Sequence, residues 1–462
     1  MAPRDLDPLL QRTAALAGEY LDGLAERRVG AREDAVTVAE RLRVPLPDAG
    51  EDPLQVVERM ARDVDPGLVA SAGPRYFGFV VGGAVRASVA ADWLAAAWDQ
   101  NTAIHILSPA GAAAEQVAGE WMKELLGIPA EASHGLPTGA GLGNTIGMAA
   151  ARHALLDRVG WDVEARGLYD APQIEVLIGG EAHATILTGL QYLGLGRDRV
   201  TRVAVDEQGR MRADALADAL TGVAGRPALV CAQAGNVNTG AFDPLEPIAA
   251  AVHAHESAWL HIDGAFGLWA AVVPRLRHLV AGSESADSWA TDAHKWLNVG
   301  YDCGFVAVRD PDAHRVAMAT SAAYLLASGT NREGWEYVLD SSRRARGFAL
   351  YAALRSLGRD GVVDLVERCC ALARRMADAL ASVPDVRILN DVSLNQVLVR
   401  FGEDDERTRE VIRRVQDSGE AWMGGTIWQG AAAMRISVSG WQTTEADIDR
   451  TATAIVAAMG AG

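Results

Sequence analysis

The sequence is poor in two features that would define other classes of protein: positive charge and long apolar runs. Its 462 residues carry 43 basic and 60 acidic side chains, which gives a net charge of −17. Nucleic-acid-binding proteins present a basic surface to phosphates, so this balance argues against a nucleic-acid partner. No apolar stretch reaches the roughly 18 residues that a membrane-spanning helix needs, so we also expect no membrane partner.

Cysteine is scarce as well, with four residues at positions 231, 303, 369 and 370. Their spacing does not match that of a metal site, and a disulfide between the adjacent Cys369 and Cys370 would be strained. We therefore predict no metal site. Charged residues interrupt the segment from Met1 to Gly23, so we predict that it is not a signal peptide and that the protein is cytoplasmic.

What the sequence does contain is typical of a large globular enzyme, with 49% hydrophobic and 22% charged residues. From about residue 174 onward, short β-rich runs alternate with helical ones. This order predicts an α/β fold with a mainly parallel sheet covered on both faces. We predict three parts: a helical N-terminal segment (1–72), a large domain (73–349) and a small α+β domain (350–462).

One hexapeptide, Thr291-Asp292-Ala293-His294-Lys295-Trp296, lies between two apolar runs at 288–290 and 305–308. A lysine at such a junction is expected to be buried, and burial favours the neutral amine, which can condense with an aldehyde. A lysine in a surface loop is the commoner explanation of any single lysine. The assignment of Lys295 therefore depends on partners elsewhere in the chain.

A glycine-rich stretch, Thr138-Gly139-Ala140-Gly141-Leu142-Gly143-Asn144, runs into a helical pattern that we predict to start near Thr145. Small residues let backbone N–H groups approach an anion, and the helix start adds further donors. The stretch lacks the Gly-Lys-Ser/Thr of a Walker loop and the G-x-G-x-x-G of a dinucleotide site. It indicates a phosphate site, with a simple turn before a helix as the alternative.

Four polar residues, His183, Asn236, Asp263 and Lys295, fall at or just after the ends of predicted strands. Parallel sheets bind ligands at that edge. A cofactor with an aldehyde, a pyridine ring and a phosphate needs a lysine, a carboxylate for the ring nitrogen, a flat group against the ring and N–H donors. Lys295, Asp263, His183 and the glycine-rich stretch supply one of each, although a helix-capping histidine and a turn aspartate remain alternatives for His183 and Asp263.

With these motifs, the sequence resembles the fold type I pyridoxal-phosphate enzymes, and among them the group II amino-acid decarboxylases. The resemblance runs from about Tyr76 to the C-terminus. It rests on these motifs: Ala182-His183, the run from Gly235 to Asp243, His261-Ile262-Asp263-Gly264-Ala265, Asp287-Ser288, and Asp292-Ala293-His294-Lys295-Trp296.

The resemblance implies pyridoxal 5'-phosphate linked to Lys295 as an imine, with Asp263 at the pyridine nitrogen and His183 stacked on the ring. It also implies an obligate homodimer with active sites at the subunit interface. We predict Lys295, His183 and Asp263 as catalytic residues. The predicted cofactor contacts are Thr138, Ala140, Gly141, His183, Asn236, Asp263, Ala265, Asp292, His294 and Lys295.

Three departures from the family pattern stand out. Gly141 replaces a hydroxyl residue, so one phosphate hydrogen bond is missing or comes from Thr138. Asp292 replaces an asparagine and adds a negative charge near the lysine. The lid is short, with Arg332 nearest the position of the family's proton-donating tyrosine, so that Tyr324 or Tyr337 would have to substitute.

We predict a carboxy-lyase that converts an L-amino acid to its amine and carbon dioxide. An aromatic or bulky apolar substrate is suggested by Tyr76, Phe77, Phe79 and Trp98, which a hydrophobic core would explain equally well. Alternatives are an aldehyde synthase, an aldolase or other carbon–carbon lyase, and a non-catalytic binding module of the same fold. Arg435 is either a carboxylate ligand or, as we favour from sequence, structural.

Overall fold

The structure is a computed structural model that describes residues 7–319 and 332–460. Its N-terminal part consists of three helices, α1 (Pro8–Gly23), α2 (Ala35–Leu42) and α3 (Pro53–Val64). An aspartate caps each of them by accepting a backbone N–H of the first turn. No residue of α1 or α2 is buried, and α3 buries only Asp63. The apolar residues of this layer are therefore only partly covered by the rest of the described chain.

A seven-stranded sheet forms the centre of the molecule. Its strands are β1 (Ser133–Gly135), β2 (Glu175–Gly179), β3 (Val200–Val203), β4 (Ala228–Gln233), β5 (Ala258–Asp263), β6 (Ser288–Asp292) and β7 (Gly304–Val308). They lie in the order β1-β7-β6-β5-β4-β2-β3. The five strands β2, β3, β4, β5 and β6 are parallel to one another, whereas β7 runs antiparallel to β6 and to β1. The prediction of a mainly parallel sheet is confirmed.

Helices cover both faces of this sheet. The helices of this part of the chain are α4 (Arg86–Trp98), α5 (Pro109–Leu126), α6 (Ala140–Asp157), α7 (Val163–Arg166), α8 (Ala184–Tyr192), α9 (Ala213–Thr221), α10 (Leu245–His253) and α11 (Pro311–Met318). Short 3-10 turns lie at Asp65–Gly67, Gly267–Val272, Arg277–Val280, Ser283–Ser285 and Gly334–Glu336. Successive residues of β4 enter different cores: Leu229 and Cys231 face one, Val230 and Ala232 the other. This alternation explains why the strand reads as a continuous apolar run.

The C-terminal part contains an antiparallel sheet of β8 (Val386–Ile388), β9 (Gln396–Phe401), β10 (Gly424–Trp428) and β11 (Ala431–Ser437), in the order β10-β11-β9-β8. Helix α13 (Asp405–Ser418) packs on this sheet, and α14 (Glu445–Gly460) packs on α13. The long helix α12 (Arg346–Ala381) leads into this sheet and breaks at Gly358, whose φ is 65°. The domain boundary predicted at residue 350 falls inside α12 and stays a prediction.

All four cysteines are free and buried. Among residues 7–319 and 332–460, no helix combines the length and apolar character that crossing a bilayer requires.

Candidate active site

The carboxyl ends of β2, β4, β5 and β6 meet at one edge of the large sheet, where they border a cavity of about 310 Å³. Its walls come from both sheets and from the glycine-rich segment. The lining residues are Phe79, Val80, Ala140, Gly141, His183, Thr185, Gln233, Gly235, Val237, Asp263, Ala265, Phe266, Asp292, Lys295 and Arg435. Seven of the ten predicted cofactor contacts are in this set; Thr138, Asn236 and His294 are not.

Lys295 lies in the turn between β6 and β7 and points into the cavity. Its amino nitrogen is 2.9 Å from an oxygen of Asp292, and the lysine side chain is 21% exposed. We predicted a buried amine with the negative charge of Asp292 near it, and the structure pairs the amine with this buried carboxylate. The two side chains meet because Asp292 ends β6, three residues before the lysine.

Asp292 also contacts the start of α6. Its second oxygen accepts the Ala140 N–H at 2.6 Å and lies 3.4 Å from Nε2 of His294. The predicted start of α6 near Thr145 is therefore five residues late, because the glycine-rich segment itself forms the first turn. The N-cap, Gly139, makes no side-chain capping bond, so the N–H donors that follow Ala140 in the first turn remain for an anionic ligand.

Gly141 is small for a local reason. A Cβ atom there would lie 3.2 Å from the Thr185 methyl carbon, a tight contact that would require Thr185 to shift slightly. Thr138 does not line the cavity.

His294 packs beside the cavity rather than in its wall. Its Nδ1 accepts the Cys303 N–H at 3.2 Å, and its ring stacks on Tyr301 with 4.3 Å between ring centroids. Burial lowers its pKa below the usual value, although Asp292 opposes this. In this arrangement His294 supports Asp292.

Asp263 ends β5 and is 4% exposed. The one hydrogen bond that its carboxylate accepts among the described residues comes from the Ala265 N–H at 3.2 Å, and no cation of those residues pairs with it. A buried carboxylate without a cation is costly. A ligand that brings a positive charge, such as a protonated pyridine ring, fits this position.

His183 caps α8 and lines the cavity near Asp263. Its Nδ1 contacts the Thr185 hydroxyl at 2.8 Å and accepts the Thr185 N–H at 3.3 Å. Burial lowers its pKa, with Asp263 opposing and Lys295 adding to the effect. The ring is therefore neutral at physiological pH.

Asn236 belongs to a turn and not to the cavity wall. Its amide donates to the Glu181 carbonyl and the Gln233 side chain, and its oxygen accepts the N–H groups of Asn238 and Thr239. The motif from Gly235 to Asp243 therefore positions Gln233, Gly235 and Val237 against the cavity.

Of the four aromatic residues predicted for a substrate pocket, Phe79 lines the cavity. Tyr76 stacks on Trp422, with 5.1 Å between centroids. Phe77 is buried in the core, and Trp98 meets Phe348 edge-on. The apolar wall beside Phe79 consists of residues that we did not predict, namely Val80, Val237 and Phe266.

Arg435, on β11, brings a guanidinium to the cavity, with Cζ 6.0 Å from the centre of the Phe79 ring. Burial lowers its pKa. Within the described parts of the chain it has neither an ion-pair partner nor a side-chain hydrogen bond, so the contact with the Phe79 ring is the main support for the structural role that we favoured from sequence. Its isolation favours the carboxylate-ligand alternative.

The lid prediction falls mostly on residues 320–331, and so Tyr324 lies outside the described residues. Arg332 pairs with Glu115 at 3.2 Å and covers the Tyr337 ring at 4.4 Å. Tyr337 also packs edge-on against His314. Neither Arg332 nor Tyr337 lines the cavity.

A lysine, an unpaired carboxylate, a histidine and the first turn of α6 thus meet at one cavity of an α/β fold, and this set of groups fits pyridoxal phosphate. The model of the pyridoxal-dependent decarboxylase conserved domain matches residues 37–402. The chain therefore belongs to the pyridoxal-dependent decarboxylase family, and its cofactor is pyridoxal 5'-phosphate. As a member of this family the chain is a carboxy-lyase. This disfavours the alternative of a non-catalytic binding module.

The relatives that this chain resembles are named for different activities. The aromatic-L-amino-acid decarboxylase of Bacillus atrophaeus is 26% identical, covering 92% of this chain and 90% of its own. The 4-hydroxyphenylacetaldehyde synthase of Rhodiola rosea is 24% identical, covering 93% and 90%. The crystal structure of Oryza sativa TDC with PLP and tryptamine superposes with a TM-score of 0.91 at 21% identity, covering 99% of both chains.

Proposed function

We propose that this protein decarboxylates an L-amino acid with an aromatic or bulky apolar side chain to the corresponding amine. One observation carries the proposal: the cavity that holds Lys295 contains both a cation without an ion-pair partner among the described residues, Arg435, and an apolar wall. This wall consists of Phe79, Val80, Val237 and Phe266. A guanidinium suits the α-carboxylate, and an apolar wall suits the side chain.

Each polar residue has a separate task in this proposal. Lys295 supplies the amine that holds the cofactor, Asp263 keeps a proton on the ring nitrogen, and His183 packs against the ring. The start of α6 at Ala140 and Gly141 takes the phosphate. When bound, the cofactor supplies a ring that accepts the electron pair left behind as carbon dioxide departs.

A panel of L-amino acids tests the proposal by the release of carbon dioxide and of amine. We expect turnover with aromatic or large apolar amino acids and much less with glutamate or aspartate. Preference for an acidic amino acid would overturn the substrate class and would assign Arg435 to a side-chain carboxylate. If no amino acid of the panel releases carbon dioxide, the proposal of a decarboxylase is wrong.

A second candidate is oxidative decarboxylation to an aldehyde. It is favoured by the absence of any tyrosine among the described residues that line the cavity, since a carbanion that is not protonated can react with oxygen. The balanced reaction consumes the amino acid, O₂ and water and yields aldehyde, carbon dioxide, ammonia and hydrogen peroxide. Peroxide formed in equal amount to carbon dioxide would identify this route, whereas amine without peroxide identifies simple decarboxylation.

We also propose a homodimer with active sites at the subunit interface. Large apolar side chains on α4 and the segment after it are exposed, including Trp98 (50%), Ile106 (74%) and Leu107 (53%), and such a patch on a soluble protein usually marks an interface. Sedimentation analysis should give twice the chain mass, and Ile106→Asp should lower both mass and activity. A fully active monomer would contradict the proposal.

The cytoplasmic location stays a prediction.

A further inference from the structure

A chain of buried hydrogen bonds runs from the core of the large sheet toward the cavity. The indole Nε1 of Trp259 donates to Oγ of Ser288 at 2.9 Å, and this oxygen lies 2.8 Å from Nδ1 of His261. Nε2 of His261 lies 3.0 Å from Oδ1 of Asn144, on α6. All four residues are buried at 1% exposure or less.

The chain continues from α6 to α8. Nδ2 of Asn144 lies 3.5 Å from the Thr185 hydroxyl, which in turn lies 2.8 Å from Nδ1 of His183. The Thr185 N–H reaches the same nitrogen at 3.3 Å. Five side-chain contacts thus connect Trp259 with a residue of the cavity wall.

Close packing holds the middle of the chain. A Cβ atom at Gly147 would lie 2.7 Å from the His261 ring. Glycine at this position lets α6 approach β5 closely enough for Asn144 to meet His261.

Chemistry at both ends gives the chain one direction. An indole N–H can only donate, so Ser288 must accept from Trp259. The hydroxyl proton of Ser288 then has one acceptor among the described residues, Nδ1 of His261. The proton of His261 is therefore on Nε2 and is donated to the Asn144 oxygen.

The far end requires the same direction. The Asn144 amide donates to Thr185, whose hydroxyl proton is free to point at His183. The Thr185 N–H is also directed at Nδ1 of His183. This nitrogen therefore accepts hydrogen bonds from both the hydroxyl and the N–H of Thr185. Burial lowers the pKa of His261 to about 3, so the chain consists of neutral groups.

We propose that this chain, acting through Thr185, fixes His183 as a neutral ring whose only proton is on Nε2, and so makes His183 a hydrogen-bond donor toward the ligand in the cavity. Nε2 has no partner among residues 7–319 and 332–460, which leaves it free for a ligand. A donor suits a substrate carboxylate, and that part of the inference rests on the proposed function. Thr185, Asn144 and His261 are positioning residues.

The charged groups that face His183 have balanced signs. They are Asp263 from β5, Asp292 and Lys295 from the end of β6 and the turn after it, and Arg435 from β11. None of them is altered by a substitution at Thr185. A change in the titration of His183 in such a variant therefore reports on the hydrogen bonds to Nδ1.

The test is ¹⁵N NMR of protein labelled at histidine and prepared without cofactor, with His183 assigned from the spectrum of His183→Gln. We expect the wild-type signal of a neutral ring protonated on Nε2. Thr185→Val removes the hydroxyl donor and should raise the midpoint of His183 titration by about one pH unit. Thr185→Ser should restore the wild-type midpoint.

Thr188→Val is the matched control, because this threonine is on the same helix and its hydroxyl donates to the Ala184 carbonyl. It should leave the midpoint unchanged. A wild-type proton on Nδ1 would overturn the proposal without any variant, as would equal midpoints in Thr185→Val and wild type. In the active holoenzyme the acidic limb of kcat/KM should move with the midpoint.

These measurements separate the two proposals. The tautomer is read without turnover, so a protein that decarboxylates nothing but shows the Nε2 proton would refute the proposed function alone. An active decarboxylase with the proton on Nδ1 would refute the hydrogen-bond assignment alone.

Discussion

Asp292 and Lys295 form an ion pair in the candidate site, with 2.9 Å between the carboxylate oxygen and the amino nitrogen. The other oxygen of Asp292 accepts the N–H of Ala140, the first residue of α6. A phosphate at this helix start would use the same donor. Asp292 therefore places a negative charge beside the N–H donor that a phosphate at this helix start would use.

We expect Asp292→Asn to bind pyridoxal phosphate about tenfold more tightly, because the substitution removes a like charge from the phosphate position. Fluorescence titration of the cofactor-free protein measures the dissociation constant. Titration with pyridoxal, which lacks the phosphate, separates this effect from the loss of the ion pair with Lys295, since that loss affects both compounds. The gain should be larger for the phosphorylated compound.

The exposed substitution Asp312→Asn makes the same change of charge away from the site and should alter neither constant. An equal gain for both compounds, or weaker binding of the phosphorylated one, would show that Asp292 does not oppose the phosphate.

Asp263→Asn should lower turnover by about 100-fold or more while leaving the cofactor-free protein at least as stable as wild type. The activity falls because the ring nitrogen loses its anionic partner, whereas the stability does not, because a buried carboxylate without a cation is removed. Thermal unfolding and steady-state kinetics on one preparation give both results.

Asp243 is the matched comparison for Asp263. It is also buried at this edge of the sheet, but its two oxygens accept the N–H groups of Met211 and Gln233 at 2.7 and 2.8 Å. Asp243→Asn should therefore cost about 1–3 kcal/mol of unfolding free energy. Equal stability losses in both variants would mean that Asp263 is structural.

Arg435→Gln should raise KM for an amino-acid substrate by about 10- to 100-fold, as expected for a lost charged hydrogen bond. Inhibition by the corresponding amine, which lacks the carboxylate, should stay unchanged. Arg387→Gln, at an exposed arginine of the same small sheet, should change neither value. A parallel loss of amine and amino-acid binding would assign Arg435 to the structure of the pocket.

Motifs at strand ends allowed much of the site to be predicted from sequence. Asp263 and Lys295 follow apolar strands, and parallel topology brings such ends together. The local sequence could not distinguish a residue that lines the cavity from a neighbouring residue that only holds such a residue in place. His294 and Asn236 belong to motifs at the same edge, yet their side chains bond to Cys303 and to the turn at Asn238.

The missed residues depend on contacts between distant parts of the chain. Arg435 reaches the cavity from the small sheet, about 140 residues after Lys295 in the sequence, and no local pattern indicates this. The contact of Thr185 with His183 could have been predicted more easily, because a hydroxyl two residues after an N-cap histidine can form a hydrogen bond with that histidine.

The free energy of unfolding should decrease as the pH falls, in part because of the fully buried His314. Its Nδ1 contacts the Ser133 hydroxyl at 2.8 Å and its Nε2 contacts the Tyr337 carbonyl at 3.0 Å. Burial lowers the pKa of His314 to about 3, below the roughly 6.5 of an unfolded histidine. Between these values the unfolded chain binds a proton that the folded chain does not. The contribution of His314 is therefore present above pH 6.5 and is lost at about 1.4 kcal/mol per pH unit as the pH falls.

Urea unfolding at pH 7, 6 and 5 measures this loss. His314→Gln keeps a donor and an acceptor but cannot titrate, so its unfolding free energy should fall less steeply, by about 1.4 kcal/mol per unit below pH 6. His253→Gln, at an exposed histidine, should keep the wild-type slope. If His314→Gln and wild type lose stability in parallel, His314 is protonated in the folded protein, and its contact with Tyr337 would then have to be made by a charged ring.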